Sequence, residues 1–213
     1  MPPYPLQHPT NNLQFSGTTP RVVEAMIIDH LRAHFSVAQV IERVPLQVLQ
    51  WQPTPTRQGL LIEQLDRWVP EQAGMRPALL TRRMGYQPFS LGINHEYLGS
   101  ATRDGSRLFE IGVQGSIVIF CIADEAGVCE LLAEETFTQL LGFGPILREI
   151  APGMLRCGIG DVGVMQPVVE SRGHFGIPVT FAFAHTYSWR VTQAGRVLQH
   201  VDTGGLRTTP PGA

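Results

Sequence analysis

The stretch that decides the fold is His174-Phe-Gly-Ile-Pro-Val-Thr-Phe-Ala-Phe-Ala-His-Thr-Tyr-Ser-Trp-Arg-Val191. Every second position from Phe175 to Val191 carries a large, mostly apolar side chain, and the positions between them carry mainly small or polar ones. This period of two is typical of a β-strand with one buried face. Fully extended, the strand would span roughly 55 Å, which is more than a small compact domain needs. We therefore expect it to project beyond the globular body or to bend near Pro178.

Three further segments have the composition of strands. Residues 107–123 form a second long alternating run, with a first half that is polar on one side and a second half that is apolar on both. This change predicts a strand that is exposed on one face at its start and covered on both faces at its end. Residues 77–84 and the glycine-rich residues 154–164 are predicted as the other two strands.

Two helices are predicted from apolar periodicity and end signals. The first begins at Thr19-Pro20, with Thr as N-cap and Pro at the first helical position, and runs to about Phe35. The second is capped by Asp124 and runs from about residue 125 to 141. Gly142 and the Gly-Pro pair at 144–145 are predicted to end it, with residues 146–150 forming one more helical turn.

The order of these elements predicts an α+β fold: an antiparallel sheet of about four long strands with two main helices packed on one face. We expect one domain at residues 19–203, preceded by an extended N-terminal arm at 1–18 and followed by a disordered tail at 204–213. Residues 85–107 are rich in glycine and predict a long irregular loop, which is usually functional. Residues 36–44 fit a short helical piece, and residues 59–68 fit either a short helix or a strand.

Composition excludes several classes of function. The chain has 213 residues, 43% of them apolar, so it can bury a sizeable core. A net charge of −2 gives no electrostatic reason to expect binding to nucleic acid or to an anionic membrane. No apolar run is long enough to cross a membrane, and the N-terminus lacks the pattern of a secretion signal. Three scattered cysteines in apolar segments predict buried free thiols: Cys121, Cys129 and Cys157.

The motifs that would carry chemistry are all weak. Residues 158–163 match G-x-G-x-x-G, but no helix follows, so a bulged or flexible strand is the better interpretation. His30 and His34 have the helical spacing of a metal pair, yet no third ligand is nearby. His185 shares the aromatic face of its strand and is interpreted as a packed or interfacial histidine. No P-loop and no G-x-S-x-G motif occur. We therefore assign no catalytic, cofactor-binding or metal-binding residues.

Three stretches together resemble the small neck and tail-completion proteins of tailed bacteriophages, the tail-terminator type in particular. They are residues 115–123 with the helix at 125–141, the closing strand at 175–191, and Arg76-Pro-Ala-Leu-Leu80. The resemblance covers roughly residues 19–192 and implies a structural virion protein, not an enzyme. It implies a ring, a hexamer, between head connector and tail, with itself and the adjoining connector and tail proteins as partners. DNA would pass through such a ring without specific binding, and no cofactor or membrane is implied.

By inference from this resemblance, subunit contacts would lie in the N-terminal arm, in the loop at 85–107 and at the end of the last strand. Overlong strands would also be able to pair across subunits. The candidate interface residues are Tyr4, Leu6, Phe15, Tyr86, Phe89, Tyr97, Tyr187, Trp189 and Arg190. The alternative is a cytoplasmic small-molecule enzyme or binding domain, with a pocket between sheet and helices that uses His95, Glu96 or His185.

Overall fold

The structure, a computed structural model, describes residues 13–16, 18–36, 49–53, 59–68, 77–91, 100–101, 107–168 and 173–191. In this part of the chain two helices and nine strands occur. The helices are α1 (Pro20–Ser36) and α2 (Ala126–Ile150). The strands are β1 (Leu13–Ser16), β2 (Leu61–Gln64), β3 (Ala78–Arg83), β4 (Gln87–Phe89), β5 (Ser100–Ala101), β6 (Arg107–Ala123), β7 (Met154–Val162), β8 (Gln166–Pro167) and β9 (Phe175–Val191).

The centre of the sheet is an antiparallel ribbon of two strands, β6 and β9, each of 17 residues. They pair without a break from Arg107 opposite Val191 to Ala123 opposite Phe175. Both long strands predicted from alternation are therefore confirmed. Pro178 does not interrupt the ribbon, and its carbonyl accepts a hydrogen bond from the Gly163 N–H at 2.8 Å. Because paired residues point to the same side, odd-numbered residues of both strands share one face and even-numbered residues share the other.

The remaining strands flank this ribbon. The main strand order is β1-β9-β6-β3-β2. In addition, β7 and β8 pair with β9, and β4 and β5 pair with β6. The α+β class is confirmed. The sheet is mixed rather than wholly antiparallel, because β2 and β3 run parallel while the other described pairs are antiparallel. Residues 59–68, for which helix and strand were both open, contain the strand β2 and then a 3-10 helix at Leu65–Arg67.

Both helices pack on the odd-numbered face of the ribbon, which we call the helix side. Val23, Ile27 and Leu31 of α1 and Cys129, Leu132 and Leu140 of α2 are fully buried in one core. The long strands contribute the odd-numbered residues from 117 to 123 and from 177 to 183 to it. The even-numbered face, the open side, has a smaller buried cluster around Ala78, Leu80 and Ile122.

Helix α1 begins and ends close to its predicted limits. Thr19 provides the acceptor for its first backbone hydrogen bonds. The Thr19 carbonyl accepts hydrogen bonds from the N–H groups of Val22 and Val23. Arg32 then ties the helix to β2: its Nη2 donates to the Ile62 carbonyl at 2.9 Å, and its guanidinium lies 5.4 Å from the Trp51 ring centroid. The possible helical piece after α1 falls mostly outside the described residues.

Helix α2 corrects two predictions. It runs through Gly142 and Pro145 to Ile150 as one helix, and Glu125, not Asp124, precedes it without a side-chain cap. The helix continues because Phe143 and Leu147 are buried in the core, while Pro145 is exposed. A Cβ on Gly144 would lie 3.5 Å from the Cys157 carbonyl, so this glycine permits close packing on β7 rather than ending the helix.

The predicted arm and loop are described only in part. Residues 13–16 are extended, as expected, and pair with Ser188–Val191 of the same chain. In the predicted loop, residues 87–89 and 100–101 form short strands on β6. Residues 1–12, 92–99, 102–106 and 192–213 lie outside the described residues, so the domain limits stay a prediction. Neither helix in the described part of the chain is long and apolar enough to span a membrane.

Candidate assembly surface

Half of the ribbon contributes no residue to either buried core cluster, and we call it the distal ribbon: β6 residues 107–114 with β9 residues 184–191. On its helix side, the rings of Phe109 and Trp189 stack with centroids 5.5 Å apart and planes 13° from parallel. Ile111 and Tyr187 form the next cross-strand pair. These four side chains are half-buried, and none of them belongs to either core cluster. The distal ribbon therefore carries an aromatic surface separate from the core.

His185 marks the boundary between the core and this surface. Its ring lies 5.9 Å from that of Phe183, in a stacked arrangement, and 6.4 Å from that of Tyr187, edge-on. The residue is 1% exposed, and its Nε2 has no hydrogen-bond partner among the described residues. Burial lowers the pKa of His185, because desolvation penalises the imidazolium. A sealed, neutral histidine between two aromatic rings is a packing residue, as the sequence indicated.

β4 and the turn before it lie along the distal ribbon. Tyr86 is 53% exposed, and its Cβ lies beside Gly115 on the helix side. Phe89 pairs with Gly112 and places its ring on the open side, in the space that a Cβ on Gly112 would need. Tyr86 and Phe89 therefore lie on opposite faces of the sheet.

Six of the nine predicted interface residues lie along the ribbon or beside it, and the other three, Tyr4, Leu6 and Tyr97, lie outside the described residues. Tyr86, Tyr187 and Trp189 lie on the helix side; Phe89 and the exposed Arg190 lie on the open side. The backbone pairing of β1 with β9 places Phe15 opposite Trp189. Their role in a subunit interface stays a prediction.

The edges of the long strands are occupied within the chain itself. β9 is flanked on one side by β6 and on the other by β1, β7 and β8. Between β1 and β7, the Thr186 N–H donates to the Gly153 carbonyl at 2.8 Å. The distal ribbon therefore offers a partner its side chains, not the edges of β9.

The paired histidines of α1 hold the two helices together. His34 Nε2 lies 2.7 Å from Glu135 Oε1 on α2, and His30 stacks on Phe143 of α2 with centroids 4.1 Å apart. Burial lowers the pKa of His30. Among the described residues, no group of three or more His, Cys, Asp or Glu side chains could hold a metal ion. Here the two histidines have a structural explanation, each with its own partner on α2.

The cysteines and the glycine motif are also explained by packing. Cys121 and Cys129 are fully buried, and the Cys129 thiol donates to the Cys121 carbonyl at 3.2 Å. Burial raises the pKa of all three thiols, that of Cys129 to about 11, so none is an activated nucleophile. Residues 158–163 lie largely in β7, which has bulges after Met154 and after Ile159, as the bulged-strand interpretation predicts.

A buried carboxylate that the sequence interpretation missed lies near α1. Glu24 is 1% exposed and accepts hydrogen bonds from Thr81 Oγ1 at 2.9 Å and Gln64 Nε2 at 2.9 Å. Its Oε2 also lies 3.0 Å from Nε of Arg83. The sequence does carry a signal for this site. Glu24 lies four residues before the apolar Ile28, on the same side of the helix, and an acid on a buried stripe needs buried donors.

This carboxylate forms the floor of a cleft that we call the β3 notch. β2 pairs with β3 only as far as Thr81, and the 3-10 helix then turns away, which leaves a space of about 730 Å³. The notch is lined by Glu24, Leu65, Asp66, Arg82, Arg83, Met84, Gly85 and Tyr86. Of these residues, only Tyr86 is among the candidate interface residues predicted from the sequence.

Core side chains fill the space between the ribbon and the two helices, and the β3 notch, which opens between α1 and the end of β3, is not lined by His185. A second cleft, of about 690 Å³, lies on the sheet between β4 and β7. Small and polar residues such as Gln114, Ser116, Gly158 and Ala182 line much of it. His185 is sealed in the core, and His95 and Glu96 lie outside the described residues.

Comparisons with known proteins identify no family. No family model matches the chain, and no curated protein does. Among solved structures, a chain from the virion of a native gene transfer agent particle is similar with a TM-score of 0.35 and 12% sequence identity. The match covers 59% of this chain and 78% of that one. A TM-score this low does not establish a shared fold.

Proposed function

We propose that this protein is a structural virion protein of a tailed bacteriophage or phage-like particle, which forms a ring in the neck. The ring would be a tail terminator or a head-to-tail connector layer. The observation that carries the proposal is the distal ribbon, which holds Phe109, Tyr187 and Trp189 on a paired arm outside the core. Aromatic side chains grouped outside a core are typical of protein–protein contact surfaces.

The ribbon is well suited to carry such a contact. It has a continuous ladder of pairs along both strands, and β1 and β4 reinforce it on either side. A rigid arm loses little conformational entropy on association, which favours affinity. In the proposed ring, each ribbon contacts the neighbouring subunit, and the adjoining layers are the connector and tail proteins. The expected ring order is six.

The chemistry of the chain agrees with a passive, non-enzymatic role. Burial keeps the three thiols and His185 in the neutral form, and Glu24, the one buried carboxylate among the described residues, is bound by three donors. The net charge of −2 suits the wall of a channel, because DNA would pass such a wall without adhering to it. No cofactor is required, and the protein would reside in the virion.

Oligomeric state tests the proposal. Size-exclusion chromatography with light scattering, followed by negative-stain microscopy, should show a closed ring of the full chain. Arg190→Glu and Trp189→Ala should shift the population to monomers, because they alter the two faces of the distal ribbon. Val164→Ala is the matched control, since Val164 is 72% exposed and distant in register from the ribbon end.

A chain that stays monomeric at all concentrations, and also in the presence of purified connector rings and tail tubes, would contradict the proposal. The flanking genes provide an independent check. Portal, connector and tail-tube genes are expected on either side, and a cluster of metabolic genes would favour the small-molecule alternative.

A further inference from the structure

Strand β7 has one side that no described segment covers. Its other side pairs with β9 from Met154 to Val162, and no other described strand pairs with β7. Among the described hydrogen bonds outside the strand ladders, none involves the backbone of residues 155–162. Five of the nine residues of β7 are exposed. Unpaired N–H and C=O groups at a sheet edge readily accept a further strand.

The two charged side chains of β7 lie on the open side and are too far apart to pair within one chain. Arg156 lies opposite Ala184, and Asp161 lies opposite Thr180. The two are five positions apart in the sequence, which is roughly 15 Å along an extended strand. Arg156 donates through Nη2 to Gln114 Oε1 at 3.3 Å, and its other donors have no described partner. Asp161 has no ion pair or hydrogen bond with a described residue.

An antiparallel pairing of β7 with β7 of a second copy would bring these charges together. The bulge leaves Gly160 without a partner on β9, so Arg156 and Asp161 stand two pairing positions on either side of Gly158. A two-fold axis at Gly158 therefore places Arg156 of each copy opposite Asp161 of the other. Directly opposite residues have Cβ atoms roughly 4.5–5.5 Å apart, which suits an ion pair. Both ion pairs form on the open side, by symmetry.

The same register also matches the apolar side chains. Cys157 and Ile159, both half-buried on the helix side, become neighbours across the axis. Val162, 42% exposed, comes beside Leu155, 47% exposed. Axes at Cys157 or Ile159 would instead place Arg156 opposite a glycine, and a one-residue slip would turn open-side residues against helix-side ones. The charged and the apolar side chains thus select one register.

We propose that two copies of this chain pair antiparallel through the free side of β7, about a two-fold axis at Gly158, with Arg156 of each copy bound to Asp161 of the other. On the helix side, the α2 turn after Gly144 carries Arg148 and Glu149, whose charges cancel. The contact goes beyond the proposed ring. It uses the same patch on both copies, whereas neighbours in a ring use two different patches, so it joins copies in pairs.

Charge exchange in the full-length chain tests the pairing. All variants also carry Arg190→Glu and Trp189→Ala, which alter the distal ribbon, so that light scattering after size exclusion reports the β7 contact alone. This parent should convert from monomer to dimer as its concentration rises. Arg156→Asp and Asp161→Arg should each dimerise at least about tenfold more weakly, because like charges then face each other twice.

The two variants also test each other. An equimolar mixture of them should regain the dimer, and so should the variant that carries both changes, because opposite charges then face each other again. Arg82→Asp is the matched control. Arg82 is exposed and lies on the open side opposite Val118, beyond β6 from β7, so this change should leave the dimer intact.

Gly158→Cys tests the register directly. A Cβ at Gly158 meets nothing within 4 Å in its own chain, so the fold should accept the change. Opposite residues of antiparallel strands have Cα atoms roughly 4.5–5.5 Å apart, within the range of a disulfide. Mild oxidation should therefore link two copies through residue 158, and peptide mass spectrometry identifies that link. Arg82→Cys should give no such link between copies.

Failure of this pairing can be told from failure of the ring. A parent that stays monomeric at every concentration overturns the pairing, as does a mixture or double variant that does not regain the dimer. Single variants that dimerise as tightly as the parent would show that another surface binds. The ring is judged on the chain with an unmodified distal ribbon: dimers that never form rings would support the pairing and contradict the ring.

Discussion

The ring of Phe89 occupies the space above Gly112 where any other residue would place its Cβ. The two residues are a cross-strand pair of β4 and β6, so this contact helps to hold β4 beside β6, with the Phe89 ring on the open side. A glycine in the middle of a long strand is normally unfavourable. Here it allows an aromatic ring to lie directly on the backbone.

Gly112→Ala should displace Phe89 and destabilise the fold by about 1–3 kcal/mol, the usual effect of overpacking. Urea denaturation followed by tryptophan fluorescence measures this. Gly158→Ala is the matched control, because a Cβ there meets nothing within 4 Å and should be neutral or slightly stabilising. Equal effects at both positions would mean that Phe89 does not pack on Gly112.

Glu24→Gln should destabilise the protein by about 2–4 kcal/mol. The new NH₂ group is a donor, and it would face the donors of Gln64 and Arg83 that the carboxylate oxygen now accepts from. The carboxylate side chain is 2% exposed, so water cannot compensate. Glu134→Gln, on the exposed side of α2, should leave the unfolding midpoint near that of the unmodified protein. If Glu24→Gln were as stable as that control, the network would contribute nothing.

Stability should fall as the solution becomes mildly acidic. Burial lowers the pKa of His30 and His185, so the unfolded chain binds these protons at higher pH than the folded chain does. Their contribution is complete above about pH 6.5 and is lost as the pH falls through the folded pKa values. Unfolding free energies measured between about pH 7.5 and 5.5, above the carboxylate range, should decline. His185→Phe should flatten that decline, and an unchanged slope would show that His185 does not cause it.

Pro145→Ala should stabilise the isolated subunit by up to about 3 kcal/mol, because alanine restores a helical N–H and keeps an exposed position. Chemical denaturation of dilute protein measures the subunit rather than the assembly. Ala126→Gly, at the first residue of α2, is a control that should not stabilise. A loss of stability in Pro145→Ala would reveal an internal role for the proline ring.

Ellman's reagent should label neither Cys121 nor Cys129 in the folded protein at about pH 8, because burial raises both pKa values and seals both thiols. Cys157 is half-buried and donates to the Gly144 carbonyl at 3.1 Å, so it should react slowly. All three should react after unfolding in urea. Rapid labelling of two or more thiols in native protein would contradict this packing.

The parts of the fold that follow from side-chain periodicity were predictable. Alternation from Phe175 to Val191 and in β6 is a local signal, and one face of each strand is buried as the pattern requires. The helix at Pro20–Ser36 has both an apolar stripe and a start signal. Strand and helix limits set by such repeats agree with the structure within a few residues.

Other parts depend on contacts between distant residues and leave no local signal. Pro145 reads as a helix end, yet burial of Phe143 and Leu147 keeps α2 intact through it. The parallel pairing of β2 with β3 depends on the path of the chain between them, which composition does not specify. Family likeness alone suggested Tyr86, Phe89 and Trp189 as interface residues, and their positions along one ribbon follow from strand register, which composition does not specify.

The pairing of Leu13–Ser16 with Ser188–Val191 constrains how the protein is made. The first strand of the sheet has no partner until the last one has left the ribosome, and Arg107 likewise waits for Val191. Helices can form early during translation, but the distal ribbon closes only after β9 has been synthesised, since such non-local pairings form late. A nascent chain therefore cannot display the finished aromatic surface, so translation itself delays the moment at which copies could begin to associate.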